Sequence, residues 1–359
     1  MEFGLKQTSF SPVSWKVPEV ISHISCGEQH TLFLTKNGDI LSCGHNTHGQ
    51  LGREKGEKIV NILESHYLAK VVAMACGQDH CVVVCASGMV FSWGAGDDGQ
   101  LGVLPPHDKY SPVPMPMQLP IPVVQVACGK SHSLVLTQGG DVFSWGLNSH
   151  GQLGLGKTVS LQFTPLVVRS LNGVAVSMIS AGSNYSLFLT LPGPVYCCGA
   201  NSVGQLGLDR VDEKGRFNVC VVPALRNIGV SFISCGEAHT AVLTKRGQVW
   251  TFGDGSHGQL GHNSTANELK PRLVEGLDGL ASQIACGRYR FISLKVCIKG
   301  FQLLCFISFR RHTLVLSASG RCWAFGDGVK GQMGNGQSES SLTPVEVQLA
   351  EVVSSGMTT

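Results

Sequence analysis

Four sets of residues have types and spacings that could do chemistry. Gly151-Gln-Leu-Gly-Leu-Gly156-Lys157-Thr158 has the spacing of a phosphate-binding loop, whose amides surround phosphates while Lys and Thr meet phosphate and Mg²⁺. Such a loop leaves a strand and opens a helix, yet VSLQFTPLVV follows with Pro165 inside it, a β-like text. The segment therefore reads as a loop of β-structure rather than a nucleotide site. Cys76, His80, Cys81 and Cys85 offer the thiolates and imidazole of a zinc site. Cys81 and Cys85, however, lie in the strand-like run CVVVC, and alternation along a strand prevents all four from converging on one ion.

His30, His80, His132, His239 and His312 are candidate general bases, but a base also needs a nucleophile or an orienting partner, and none is identifiable. Tyr185 occupies the same place in one further copy, so the series reads as structural, satisfying backbone groups where strand meets loop. Asp97, Asp98, Asp254 and Asp327 fall in variable loops and read as solvated turn residues, with a partner surface as the alternative. The expectation is no catalytic residue, no metal ligand and no cofactor site.

The elements that position these residues come from an internal repeat. Cys-Gly-x-x-His-(Thr/Ser) is followed by an apolar run, a Gly turn, a strand ending aromatic-Gly, and Gly-Gln-Leu-Gly. The opening pair is Cys26-Gly27, Cys76-Gly77, Cys128-Gly129, Ala181-Gly182, Cys235-Gly236 and Cys286-Gly287. The closing motif starts at Gly49, Gly99, Gly151, Gly204, Gly258 and Gly331. The motifs span 26–52, 76–102, 128–154, 181–207, 235–261 and 286–334 within a single domain, 1–359. A period of about 50 residues accommodates four short strands with their turns, one blade of a β-propeller. In HTAVLTKRGQVWTFG, two β-branched and aromatic runs flank Arg246-Gly247, a hairpin signal.

The sixth copy is too long. Removing Tyr289 to Arg310 restores CGRRHTLVL, so residues 289–310 are expected to be an aberrant insertion from alternative splicing or a misassigned exon, with an apolar partner-binding loop as the alternative.

Composition agrees with an all-β chain: 43% hydrophobic and 14% charged residues, with 45 glycines in 359 positions. With a net charge of +3 and no long basic run, a nucleic-acid partner is not implied. No stretch reaches the roughly 20 apolar residues of a membrane span, and most of the 14 cysteines recur at one motif position or sit in apolar runs, as reduced thiols would. A cytoplasmic location is expected, with the nucleus second.

These motifs resemble the repeat of the regulator of chromosome condensation, over nearly the whole chain. The wording of ISCGEAHTAVLT, FGDGSHGQLGHNS and GLNSHGQLGLGK is most similar to the HERC group of HECT-type ubiquitin and ubiquitin-like ligases. The resemblance implies a seven-bladed propeller that binds a substrate or partner protein and is itself non-catalytic, the HECT domain being the ligase. It also implies an alternative, guanine-nucleotide exchange on a small GTPase of the Ran type. Glu2-Phe3-Gly4 resembles a blade end and Ser354-Ser355-Gly356 a repeat opening, so a seventh blade shared by both ends is expected to be incomplete, the chain being a fragment or truncated isoform.

Overall fold

The computed structural model describes residues 20–53, 61–62, 70–104, 109–287, 296–298, 301–303, 311–329 and 338–347. Each repeat forms a four-stranded antiparallel meander, one blade, with strands paired in chain order from the inside outwards. Blade one comprises Ile21–Cys26, His30–Thr35, Ile40–Gly44 and Asn61–Ile62; blade two comprises Val71–Cys76, His80–Cys85, Val90–Ala95 and Tyr110–Met117. Blade three has Val123–Cys128, His132–Thr137, Val142–Leu147 and Leu161–Val167; blade four has Val176–Ala181, Tyr185–Thr190, Val195–Asn201 and Asp212–Val221. Blade five runs Val230–Cys235, His239–Thr244, Val249–Gly253 and Glu268–Leu273; blade six runs Ala281–Cys286, His312–Ser317, Cys322–Gly326 and Ser341–Val347.

Local sequence explains the hairpins. Runs such as HCVVVC and VFSWGA favour extended backbone, and a glycine closes the turn between them. At Gly88 the backbone has φ +83°, and an added Cβ would sit 2.7 Å from Pro122 Cα of the next blade, so both conformation and space require glycine.

The second strand of every blade is buried at all six positions. Blades two to five have a described neighbour on both faces, and there the second strands read as continuous apolar runs rather than alternating ones. The core accordingly lies between blades. Leu32, Leu34 and Ile40 of blade one pack with Val83, Phe91 and Trp93 of blade two, and Leu187, Leu189 and Val195 of blade four pack with Val230, Ile233 and Phe252 of blade five. Burial of each such side chain contributes about 1.5–3 kcal/mol, so neighbouring blades stabilise one another as stacked repeats do.

Two sequence expectations meet the structure differently. The expected plan was seven blades; the described residues form six, and the two ends assigned to a seventh, 1–19 and 348–359, lie outside them. In blade six, Ala281–Cys286 pairs directly with His312–Ser317, from Cys286 opposite Thr313 to Ala281 opposite Ser317. The chain thus leaves and re-enters the sheet around the inserted segment, inside which Val296–Ile298 and Phe301–Leu303 form a separate hairpin.

Candidate protein-binding face

The motif histidines sit where one blade meets the next. Four of the five rings reach the residue that follows the corresponding motif position of the next described blade: His30 Nε2 to Cys81 Sγ (3.1 Å), His80 to Ser133 Oγ (2.9 Å), His132 to Ser186 Oγ (3.0 Å) and His239 to Thr313 Oγ1 (3.1 Å). The receiving group donates onward to the carbonyl of the Gly-Gln-Leu-Gly glutamine one blade back. Cys81 donates to Gln50 O (3.3 Å), Ser133 to Gln100 O (3.0 Å), Ser186 to Gln152 O (2.7 Å) and Thr313 to Gln259 O (2.8 Å). A receiving group that spends its proton on a carbonyl must accept from the ring, so these imidazoles donate through Nε2. Tyr185 makes the same junction differently, its hydroxyl donating to His239 O (2.6 Å) and accepting from Thr240 (3.1 Å). His239 is fully buried, which pushes it down to about 4.

The Cys-Gly glycine is explained by the same ring. At Gly129 an added Cβ would overlap the His132 imidazole and lie 2.7 Å from Gly182 O of the next blade. The loop tips after these glycines are also joined in series by backbone bonds, Glu28 N to Gln78 O, Gln78 N to Lys130 O, Lys130 N to Ser183 O, Ser183 N to Glu237 O and Glu237 N to Gly287 O. The Gly-Gln-Leu-Gly loops lie at the same end of the blades. Their glutamine side chains accept from the amide two residues earlier, as in Gln50 with His48 (2.8 Å) and Gln152 with His150 (2.9 Å).

This end of the propeller is a rigid base presenting variable groups. Lys130, Thr47, His48, Asp97, Ser149 and Ser256 are exposed there, between fixed neighbours. Arg311 links three loops, its Nη1 meeting His257 Nε2 at 3.1 Å and its Nε meeting Glu237 at 3.6 Å. Along the axis, the first strands enclose a cavity of about 300 Å³ lined by residues including Ser25, Cys76, Val126, Ser180, Ser234 and Ile284. A pre-organised surface of this kind suits protein recognition, since loops on a rigid scaffold lose little entropy on binding.

The other chemistry candidates are placed as follows. Gly151 to Thr158 closes blade three: Gly151 N bonds Asn148 O, Gly154 N bonds Gly151 O, and the strand Leu161–Val167 follows rather than a helix. Its amides are therefore turned inward. Cys76 and Cys81 meet at 3.9 Å, but His80 turns to the next junction and Cys85 stands at the far end of its strand. The imidazole beside the two thiols is His30 from blade one, and these three ligand atoms lie within 4.8 Å of one another, a soft set that could hold a metal. Asp254 accepts from Ser256 N and Gln259 Nε2, and Asp327 from Val329 N, as turn residues do. Asp97 pairs with Lys109 at 3.9 Å on the surface, and Asp98 N bonds Gln100.

Sequence reasoning overlooked two features. The glutamine of Gly-Gln-Leu-Gly, read only as part of a turn, receives the junction bonds; its recurrence in all six copies was the available signal. Cys197 and Cys220, with sulfurs 3.8 Å apart, were passed over as ordinary core thiols.

Comparison with known proteins agrees with this geometry. The RCC1-like domain family matches residues 1–358. The chain is 45% identical over 332 residues to the human probable E3 ubiquitin-protein ligase HERC3, covering 91% of this chain and 29% of that protein. It thus spans under a third of that relative. Among solved structures, human WBSCR16 superposes with a TM-score of 0.79 at 26% identity, covering 94% of this chain and 85% of that one. Prp20p of Saccharomyces cerevisiae, described with its binding to Gsp1p and histones, gives 0.76 at 21% identity, covering 91% and 76%, and shows the fold alone. The chain therefore belongs to the RCC1-like domain family and is homologous to the propeller region of the HERC ligases.

Proposed function

We propose that this chain is a non-catalytic protein-binding propeller that recruits a substrate or partner for a HERC-type ligase, acting in the cytoplasm with the nucleus as a second compartment. The observation that carries the reading is the identity to the HERC3 propeller region over 91% of the chain. The geometry supports it. The motif histidines and hydroxyls are consumed in holding blades together, and what varies from blade to blade faces solvent on the loops. Ligation would belong to another part of such a ligase, since the matched region is that of the propeller. We further propose a seven-bladed plan in which residues outside the described six blades supply the remaining one, supported by the blade-like Glu2-Phe3-Gly4.

Replacing the propeller of HERC3 with this chain tests the reading. The chimaera should restore a set of ubiquitylated proteins that the propeller-less ligase does not modify, as read by mass spectrometry of ubiquitin remnants. Indistinguishable spectra from the two would reject it. The exchange-factor alternative draws on Prp20p, whose fold this chain shares. Catalysed release of labelled GDP from purified Ran at substoichiometric protein would establish that alternative instead.

A further inference from the structure

Cys197 lies on the third strand of blade four, directly opposite Cys220 on the outermost strand, Asp212–Val221. Their sulfurs are 3.8 Å apart. Val222 N donates to Val195 O two residues away at 2.8 Å, which makes Cys197 and Cys220 a hydrogen-bonded cross-strand pair. Such pairs hold their Cα atoms about 5.5 Å apart, inside the roughly 4.4–6.8 Å that a disulfide spans, so the strand spacing is compatible with a disulfide.

The two thiols are unequal. Cys197 is fully buried in the core between blades four and five, whereas Cys220 is half-buried on the outer strand. Arg216 and Arg210 flank Cys220, both also facing Asp212, at 3.9 and 3.6 Å. The short turn Arg169–Leu171, also packed on this strand, carries Arg169, and the neighbouring third strand carries Cys198 beside Cys197. The charged surroundings are thus mostly cationic.

We propose that Cys220 and Cys197 form a thiol-modification site that reacts with low-molecular-weight disulfides of the glutathione class, Cys220 attacking and Cys197 resolving. The hydrogen bond from Cys197, then the Arg216 guanidinium, outweighs partial burial and draws Cys220 down to about 6, while burial and the negative partner push Cys197 well up. Cys220 therefore holds a thiolate at neutral pH. Its sulfur attacks one sulfur of R–S–S–R, forming Cys220–S–S–R and releasing R–S⁻. Cys197 then loses its proton to solvent or R–S⁻ and attacks Cys220 Sγ, forming the protein disulfide and expelling the second R–S⁻. Two protein thiols are oxidised and one small disulfide is reduced to two thiols, with no other reactant. The other close pair, Cys76 and Cys81, has both sulfurs buried at a blade junction and lacks this access. The resulting bond would clamp the outer strand of blade four, on which the closing loop of blade three rests through Gly156 N to Phe217 O (3.1 Å).

The test treats the full chain with glutathione disulfide and maps products by peptide mass spectrometry, with iodoacetamide labelling across pH 4–10 in parallel. Expected are a Cys197–Cys220 disulfide, a Cys220 labelling midpoint near pH 6, and labelling at pH 6 about tenfold faster than free glutathione, thiolate abundance outweighing its lower nucleophilicity. Cys197→Ser should stop at the mixed disulfide on Cys220, and Cys220→Ser should leave Cys197 unmodified. A labelling midpoint near 8.5 in the unmutated chain, or oxidation of Cys197 in Cys220→Ser as fast as in the parent, would overturn the proposal.

Discussion

Thr313→Val isolates the bonding across a single junction. Thr313 is fully buried, and valine keeps its shape while deleting the hydroxyl. That hydroxyl donates to Gln259 O at 2.8 Å and accepts from His239 Nε2 at 3.1 Å. The His239 ring retains a second stabilising contact with the His312 carbonyl, which limits the loss on that side. Gln259 O is less protected. At two other junctions an indole also donates to the equivalent carbonyl, Trp93 to Gln50 O (3.0 Å) and Trp145 to Gln100 O (2.9 Å), but Phe325 stands at the corresponding place in blade six. A buried carbonyl stripped of a donor costs about 1–3 kcal/mol, and the partly compensated ring adds less, so Thr313→Val should lose about 2 kcal/mol. Ser133→Ala, where Trp145 still covers Gln100 O, should lose about 1 kcal/mol, and Thr313→Ser should lose no more than about 1 kcal/mol for one methyl group. Urea denaturation followed by tryptophan fluorescence and far-ultraviolet dichroism measures all three. If Thr313→Val stayed within about 0.5 kcal/mol of the parent, or Thr313→Ser proved as damaging, the hydroxyl relay would not be what joins the blades.

Other consequences can be checked on the same protein. His239 is held neutral at about 4 against about 6.5 unfolded, so the unfolded chain binds the extra proton between those values. Its contribution, roughly 3 kcal/mol, is present in full above pH 6.5 and lost as pH falls towards 4; His239→Gln should flatten that part of the urea-midpoint profile, and an unchanged slope would refute the assignment. Gly129→Ala should cost more than about 3 kcal/mol because its Cβ overlaps the His132 ring, whereas Gly173→Ala, with nothing within 4 Å and φ +78°, should cost only about 1 kcal/mol; comparable losses would deny the steric reading. Deleting residues 289–310 should raise the melting temperature and soluble yield, since closing the short loop left by the deletion costs about 1–2 kcal/mol less than closing the long one. A lowered melting temperature would show that the insert packs productively.

The sequence by itself determined the repeat, the hairpins and the class of fold, because each depends on neighbours within one copy. Alternation, turn glycines and the Cys-Gly-x-x-His spacing are all local, and they sufficed for a propeller and for setting aside Gly151–Thr158 as a nucleotide loop. The tertiary structure decided what the histidines do. His239 and Thr313 are separated by the inserted segment and meet only because adjacent blades stack, so no spacing within one repeat could name the pair. The same holds for His30, which joins Cys76 and Cys81 in place of the sequence-adjacent His80. Cys197 and Cys220 were hidden for a related reason. Their pairing follows a ladder whose register shifts between Cys197 and Gly199, and a one-residue slip would turn each thiol to the other face of the sheet. Pattern fixes which residues lie in strands, while packing against the next blade and the position of bulges fix which side chains touch.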